Sequence, residues 1–231
     1  MDAALIGLGV VGTQAARQLL SSPGNALSVV HADPANAQQT LEILGPRLTV
    51  VVGGVHEIPT AEVVVLALSR DVRRYARAAL ERGAHVVCAC DDPHEVRSLL
   101  GLDDAARRLG LSVVVGAAQA PGLSCMLALH ASRHLDLVEE VHVARSAAGG
   151  PACARRYHAA LSQPGLERYR GAWRRRSAGS GRELVWFPDP IGALDCYRAN
   201  LVDPLLLAPA FPLARRITSR RSATRRDRFT A

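Results

Sequence analysis

The sequence predicts an α/β protein in which a doubly wound parallel sheet is followed by a second domain of α+β character. Three observations carry this. Six short apolar runs, mostly rich in valine, alternate with helix-patterned segments over the first 115 residues, the pattern of parallel strands covered on both faces and joined by crossover helices. A glycine turn, Gly7-Leu8-Gly9-Val10-Val11-Gly12, lies between the first apolar run and the first helix. Beyond Pro121 the strict alternation stops.

Ala3 to Ile6 reads as the first strand, and Val10 to Leu20 carries apolar residues at helical spacing. In that strand-turn-helix setting Gly7 admits the tight turn. Gly9 lets a diphosphate approach the backbone, and Gly12 lets helix and strand pack closely. The N–H groups at the helix start, around Val10 and Val11, and the helix dipole favour an anion there. The second strand, Leu27 to Ala32, ends at Asp33, twenty-one residues past Gly12. A carboxylate at that tip accepts from both ribose hydroxyls of an adenine nucleotide and repels a 2′-phosphate. Pro34, Ala35 and Asn36 follow with no arginine, which favours NAD and leaves NADP as the lesser alternative. Residues 1–120 are therefore expected to form a dinucleotide-binding domain of the Rossmann type.

The remaining elements fit that frame. A helix to Leu44 leads into a third strand, Leu48 to Val52, ended by Gly53-Gly54; Ala61 to Leu68 holds the fourth strand. Asp71 to Arg82 is helical and stops at Gly83. His85 to Ala89 is the fifth strand, Pro93 to Leu109 one helix, and Leu111 to Val115 the sixth strand. Ligands of such sheets bind beyond the carboxyl ends of the strands. The expected cofactor set is therefore Gly7, Gly9, Val10, Val11, Gly12, Asp33, Leu68, Ser69, Asp91, Gly116 and Ala117. Past a hinge near Ala120, Pro121-Gly122-Leu123-Ser124 opens a helix to about His134. Val138 to Ala144 alternates as a strand and Pro151 to Leu161 is helical. Trp173 to Ser177 and Arg182 to Phe187 flank Gly179-Ser180-Gly181 as a hairpin. Residues 121–231 are expected to be an α+β substrate or dimerisation domain, with a homodimer left open.

Composition narrows the chemistry. The basic residues are all arginine, 28 of them, so no lysine is available for Schiff-base or acid–base work. Residues 1–120 carry 10 Arg against 12 Asp and Glu, and residues 121–231 carry 18 against 9. Seven of the arginines fall between Arg215 and Arg228. No helix-turn-helix, zinc or stacking pattern accompanies them and only 4% of residues are aromatic. A solvated face or a surface for anionic substrate is expected over nucleic acid. Five cysteines without paired spacing read as thiols in a reducing cytoplasm, and no metal site is expected. Leu109 to Leu129 is uncharged, but Gly116, Gln119 and Pro121-Gly122 break it into a strand and a helix; no membrane span is expected.

Taken together, these stretches resemble the saccharopine dehydrogenase-like family of NAD(P)-dependent oxidoreductases. The likeness is carried by GLGVVG at 7–12, HVVCACDD at 85–92, LDDAARRLGLSVVVGAAQAPGLSCMLA at 102–128 and WFPDPIG at 186–192. It implies hydride transfer to or from an imine or amine of amino-acid type, or a ketone, on a small substrate carrying an amine or carboxylate. Members of the family are usually longer and return to the nucleotide domain, whereas this sequence stops at Phe229-Thr230-Ala231, as a fragment or a minimal version would. Related dehydrogenases acting on homoserine use lysines that are absent here.

A protonated imine needs no strong general acid, whereas a ketone does. The second domain offers His130, His134, His142, His158, Tyr157, Tyr169 and Tyr197 as donors, and Arg145, Arg155 and Arg156 as carboxylate clamps. Among these, Arg145 is chosen for the substrate carboxylate and His158 or Tyr197 for the proton. His130 and His134, one helical turn apart, read more simply as packing or surface residues. The rival reading is a dinucleotide-binding module or inactive subunit without turnover; a nucleic-acid binder would rest on Arg215 to Arg228 alone.

Overall fold

A computed structural model describes residues 1–146 and 150–223, and the chain divides into two compact units, Met1–Ala118 and Gln119–Ala231. In the first unit β1 (Asp2–Ile6), α1 (Val10–Ser21), β2 (Ala26–His31), α2 (Pro34–Leu44), β3 (Thr49–Val52) and β4 (Val63–Leu66) are followed by α3 (Val72–Glu81), β5 (His85–Cys88), α4 (Pro93–Leu100), α5 (Asp103–Leu109) and β6 (Val113–Val115). The six strands form one parallel sheet in the order β3-β2-β1-β4-β5-β6. Alternation along β1 builds both core layers. Ala4 and Ile6 join Val64, Leu66, Val86 and the apolar face of α3 on one side, whereas Ala3 and Leu5 meet Val29 and Ala16 and Leu20 of α1 on the other. Cys88 and Cys90 are buried in this core, where desolvation pushes their thiols up to about 11 and about 12, so both stay protonated at neutral pH.

The single helix expected from Pro93 to Leu109 is two. Asp92 caps α4, accepting from the N–H groups of His94 (2.8 Å) and Glu95 (3.2 Å). Gly101, a weak helix former, then ends it. Asp103 and Asp104 restart the chain as α5, where acidic side chains suit a helix N-terminus.

The second unit holds α6 (Leu123–Ser132), β7 (Glu140–Arg145), α7 (Pro151–Leu161), β8 (Gly165–Tyr169), β9 (Ala172–Arg176), β10 (Glu183–Phe187), β11 (Gly192–Arg198), α8 (Asp203–Leu207) and β12 (Arg216–Ser222). Its mixed sheet runs β10-β11-β12-β8-β9, with β7 parallel to β12. The hairpin expected around Gly179-Ser180-Gly181 does not form, because β9 pairs with β8 and β10 with β11. Arg170 and Gly171, both at positive φ (49° and 78°), make the two-residue turn that suits the twist of β8 and β9. Gly179 and Ser180 bond to the backbone of Arg198 instead.

The arginine cluster is also not what its composition suggests. Arg216 to Ser222 is the central strand of the sheet, pairing with β7 along one edge and with β8 and β11 along the other. Its charges are neutralised across strands. Glu167, 2% exposed, accepts from Arg176 and lies 3.5 Å from Arg198 and 3.6 Å from Arg216, while Arg220 meets Glu183 at 2.8 Å. Burial alone would raise the Glu167 pKa, but the Arg176 hydrogen bond and three guanidinium charges outweigh it and hold the carboxyl below its ordinary value. Arg225, Arg226 and Arg228 lie outside the described residues. Among those described, no helix is long and apolar enough to cross a membrane and no group of three or more His, Cys, Asp or Glu could hold a metal ion.

Candidate functional site

At the carboxyl edge of the first sheet, the three glycines of the turn play separable roles. Gly7 has φ +96°, and a Cβ there would lie 2.6 Å from the Ala67 carbonyl oxygen. A Cβ on Gly12 would sit 1.8 Å from the carbonyl oxygen of Gly7. Both positions are dictated by packing between the turn, α1 and the end of β4. Gly9 is different: its backbone is ordinary extended chain (φ −71°, ψ −171°) and a Cβ would have no atom within 4 Å. The fold does not need a glycine there, and the space in front of the start of α1 is open. Val10 and Val11 are exposed beside it, and the first turn of α1 carries no acidic side chain to compete for an anion. The cradle therefore fits a diphosphate.

Asp33 is exposed at the tip of β2 and caps α2, its carboxylate accepting from the Ala35 N–H at 2.9 Å. Between the glycine turn and α2 lies a cavity of about 240 Å³ lined by Leu8, Thr13, His31, Thr40, Ile43 and Leu44. His31 is 2.7 Å from the Thr40 hydroxyl, and burial lowers its pKa against the opposing pull of Asp33. Leu68 and Ser69 follow β4, the neighbour of β1, and the loop they begin is tied down by Glu95, which accepts from the N–H groups of Asp71 and Val72. Asp91 follows β5, and Gly116 and Ala117 follow β6, with the Ala117 N–H bonded to the Cys88 carbonyl. All the expected cofactor residues thus share one edge. They spread outward from the β1–β4 crevice, where the strand order reverses, and Gly116 and Ala117 lie farthest, three strands or roughly 14 Å from β1.

In the second unit a cavity of about 510 Å³ opens beside the carboxyl half of β7, between the first half of α6, Tyr157 of α7 and the turn from β10 to β11. Arg145 lines it but is already engaged. One guanidinium nitrogen donates to Asp203 and a second donates to the Ala120 carbonyl at 3.1 Å, while the buried Nε has no hydrogen-bond partner among the described residues. Asp203 is fully buried and also accepts from the hydroxyls of Ser124 (2.6 Å) and Ser219 (2.9 Å). The partner expected for Arg145 from a substrate is therefore supplied by the chain itself. His158 and Tyr197 do not line the cavity. Successive helix positions point about 100° apart, so where Tyr157 reaches the wall His158 turns away. Tyr197, 4% exposed, packs with Ala160, Leu161, Ala199 and Leu201. The groups at the wall are Tyr157, whose hydroxyl donates to the Ala120 carbonyl at 3.4 Å, and His142, held by Thr218 (2.7 Å) and Glu140 (2.9 Å). Asp203 gave no sign in the sequence, because its partners come from α6, β7 and β12, and only the folded sheet gathers them.

The sheet order, the glycine cradle at its switch point and a mixed-sheet second unit define a Rossmann-type two-unit fold of the kind used by NAD(P)-binding oxidoreductases. Comparison with solved structures finds the same fold. The chain is similar to saccharopine dehydrogenase (L-Glu forming) from Saccharomyces cerevisiae, with a TM-score of 0.70 and 15% identity over 95% of this chain and 54% of that one. It is also similar to GenD2 from gentamicin A biosynthesis, solved with NAD (TM-score 0.51, 20% identity, 96% of this chain and 65% of that one). An oxidoreductase-like structure from Erwinia carotovora atroseptica SCRI1043 superposes with a TM-score of 0.55 at 11% identity, over 96% of this chain and 70% of that one. The chain is saccharopine dehydrogenase-like in fold and spans about half the length of the yeast enzyme. No protein-family model matches it.

Proposed function

We propose that the chain is an oxidoreductase that uses a nicotinamide dinucleotide, NAD in preference to NADP, with the first unit holding the cofactor and the second the substrate. The observation that carries this reading is Gly9, a glycine that its own fold does not require, at the start of a helix with no acidic side chain in its first turn. In this reading the N–H groups of the turn and of α1 hold the diphosphate, Asp33 accepts from the ribose hydroxyls, and Leu68 and Ser69 border the crevice beside β1. The bound dinucleotide supplies or accepts a hydride. The chain's own part is to orient the substrate, exclude water and hold a proton near the reacting atom, for which Tyr157 and His142 stand at the cavity wall. The substrate class is an imine, whose protonated form needs no strong acid from a chain without lysine, or a ketone, which would need a proton donor such as those at the cavity wall. The likeness to GenD2, solved with NAD, supports the cofactor by analogy of fold.

A second reading, a dinucleotide-binding module without turnover, is favoured by the internal hydrogen bonds already made by Arg145, Tyr157 and His142. Fluorescence titration with NADH and NADPH tests the first step. Saturable binding with NADH the tighter ligand is expected, and no binding of either refutes both readings. Loss of absorbance at the nicotinamide band with a panel of ketones, or of ketones with amines, then separates enzyme from module.

A further inference from the structure

We propose that the second unit's cavity takes a carbonyl or imine compound with an apolar body and no carboxylate, rather than an amino-acid-like substrate. The inference deepens the functional reading above and rests on its assignment of the substrate to this unit.

The first support is α6. Its sequence, LSCMLALHAS, is apolar nearly all round, yet none of its residues is fully buried. Cys125, Ala128 and Leu129 pack against Val141, Val143 and Leu207 in the unit's core. Leu123, Met126 and Leu127 form a separate stripe at i, i+3 and i+4, exposed by 54%, 62% and 59%. Leu123 and Leu127 wall the cavity, and Phe187, Pro188 and Ile191 line it as well. Single exposed leucines are ordinary, but apolar side chains converging on a recess of about 510 Å³ have the size and character of a small-molecule site.

The second support is charge. Among the described residues Arg145 is the only guanidinium lining the cavity, and Asp203 neutralises it. A ligand carboxylate would have to draw Arg145 away from a fully buried carboxylate, leaving that charge without its cation. The other cationic candidate, His142, already faces the Glu140 carboxylate at 2.9 Å, and Arg215 holds Glu140 in turn at 2.6 Å. Each cationic candidate in the lining is thus already partnered by a carboxylate of the chain. Tyr157 and Gln119 are neutral groups that reach the wall, suited to a carbonyl or imine rather than to an anion.

The test uses the full chain and three probes. These are 4-phenylbutan-2-one, 2-oxo-4-phenylbutanoate, which adds a carboxylate to the same skeleton, and 2-oxoglutarate, with two carboxylates and no apolar body. Binding is read by isothermal titration, with NADH affinity measured separately by fluorescence. The ketone is expected to bind at least tenfold tighter than either acid. Leu127→Glu, and independently Ile191→Glu, are expected to weaken ketone binding at least tenfold with an unchanged melting temperature, since both side chains are exposed. Equal or tighter binding of the acids, no binding of the ketone, or indifference to both substitutions overturns the inference. Ketone binding without NADH binding upholds this inference and refutes the oxidoreductase reading.

Discussion

Gly9 and Gly12 belong to one motif yet should fail in opposite ways when replaced. At Gly9 the backbone is open to any residue, no atom lies within 4 Å of a Cβ, and the position is the N-cap of α1. Aspartate is a good N-cap, so Gly9→Asp should leave the melting temperature unchanged or slightly raised. It would place a carboxylate where the proposed diphosphate lies. At a separation of about 4 Å and an effective dielectric constant of about 20, each like-charge pair costs about 4 kcal/mol. One such pair is a loss of about a thousandfold in affinity at ~1.4 kcal/mol per factor of ten. At Gly12 the conflict is internal. A Cβ 1.8 Å from a backbone oxygen cannot be relieved by a rotamer, and α1 would have to retreat from the turn. Overpacking of this kind costs about 1–3 kcal/mol, set against about 1 kcal/mol gained from replacing a helical glycine by alanine. Gly12→Ala should therefore lower the melting temperature by a few degrees as well as weakening cofactor binding. Thermal unfolding and NADH fluorescence titration on the two variants read both quantities. Undiminished NADH affinity in Gly9→Asp, or an unaltered melting temperature and affinity in Gly12→Ala, would refute the division of roles.

Asp33→Ser keeps an N-cap on α2 and should preserve stability while erasing most of the discrimination against NADPH; Asp33→Ala should also lose about 1 kcal/mol of cap, seen in denaturant titration. Glu167→Gln leaves three guanidiniums without their buried carboxylate and should destabilise the second unit by about 3 kcal/mol. Because the folded pKa of Glu167 is depressed below the ordinary 4.5, its stabilisation is full above that value and is lost as pH falls through the folded pKa. The wild type should weaken in that acid window more steeply than Glu167→Gln, and matching slopes in urea titrations would exclude the role. Arg145→Met strands Asp203 and should cost about 3–5 kcal/mol, with much of the loss recovered in the Arg145→Met, Asp203→Asn double variant. Additive losses in that cycle would show that the pair is not a unit.

Elements whose order along the chain carries their own geometry were legible in the sequence. The valine-rich strands of the first unit, the glycine turn and Asp33 are local signals, and α7 begins and ends where its proline and its apolar spacing place it. The break at Gly101 was weaker, since the apolar pattern runs through it. Arg216 to Ser222 misled because a composition of arginine and serine describes a surface unless carboxylates from other strands are counted, and Glu167 and Glu183 lie tens of residues away. That Tyr157 and His142 line the second unit's cavity while His158 and Tyr197 do not depends on which way side chains point, which no local pattern records.

Local pattern by itself determined the parallel sheet and the glycine turn at its carboxyl edge, because backbone conformation and burial period are properties of neighbouring residues. Only the tertiary structure decided that β9 pairs with β8, that the arginine strand is central and that Asp203 neutralises Arg145. Strand pairing and charge compensation join residues distant along the chain, and their energy appears only when water is removed from both partners at once.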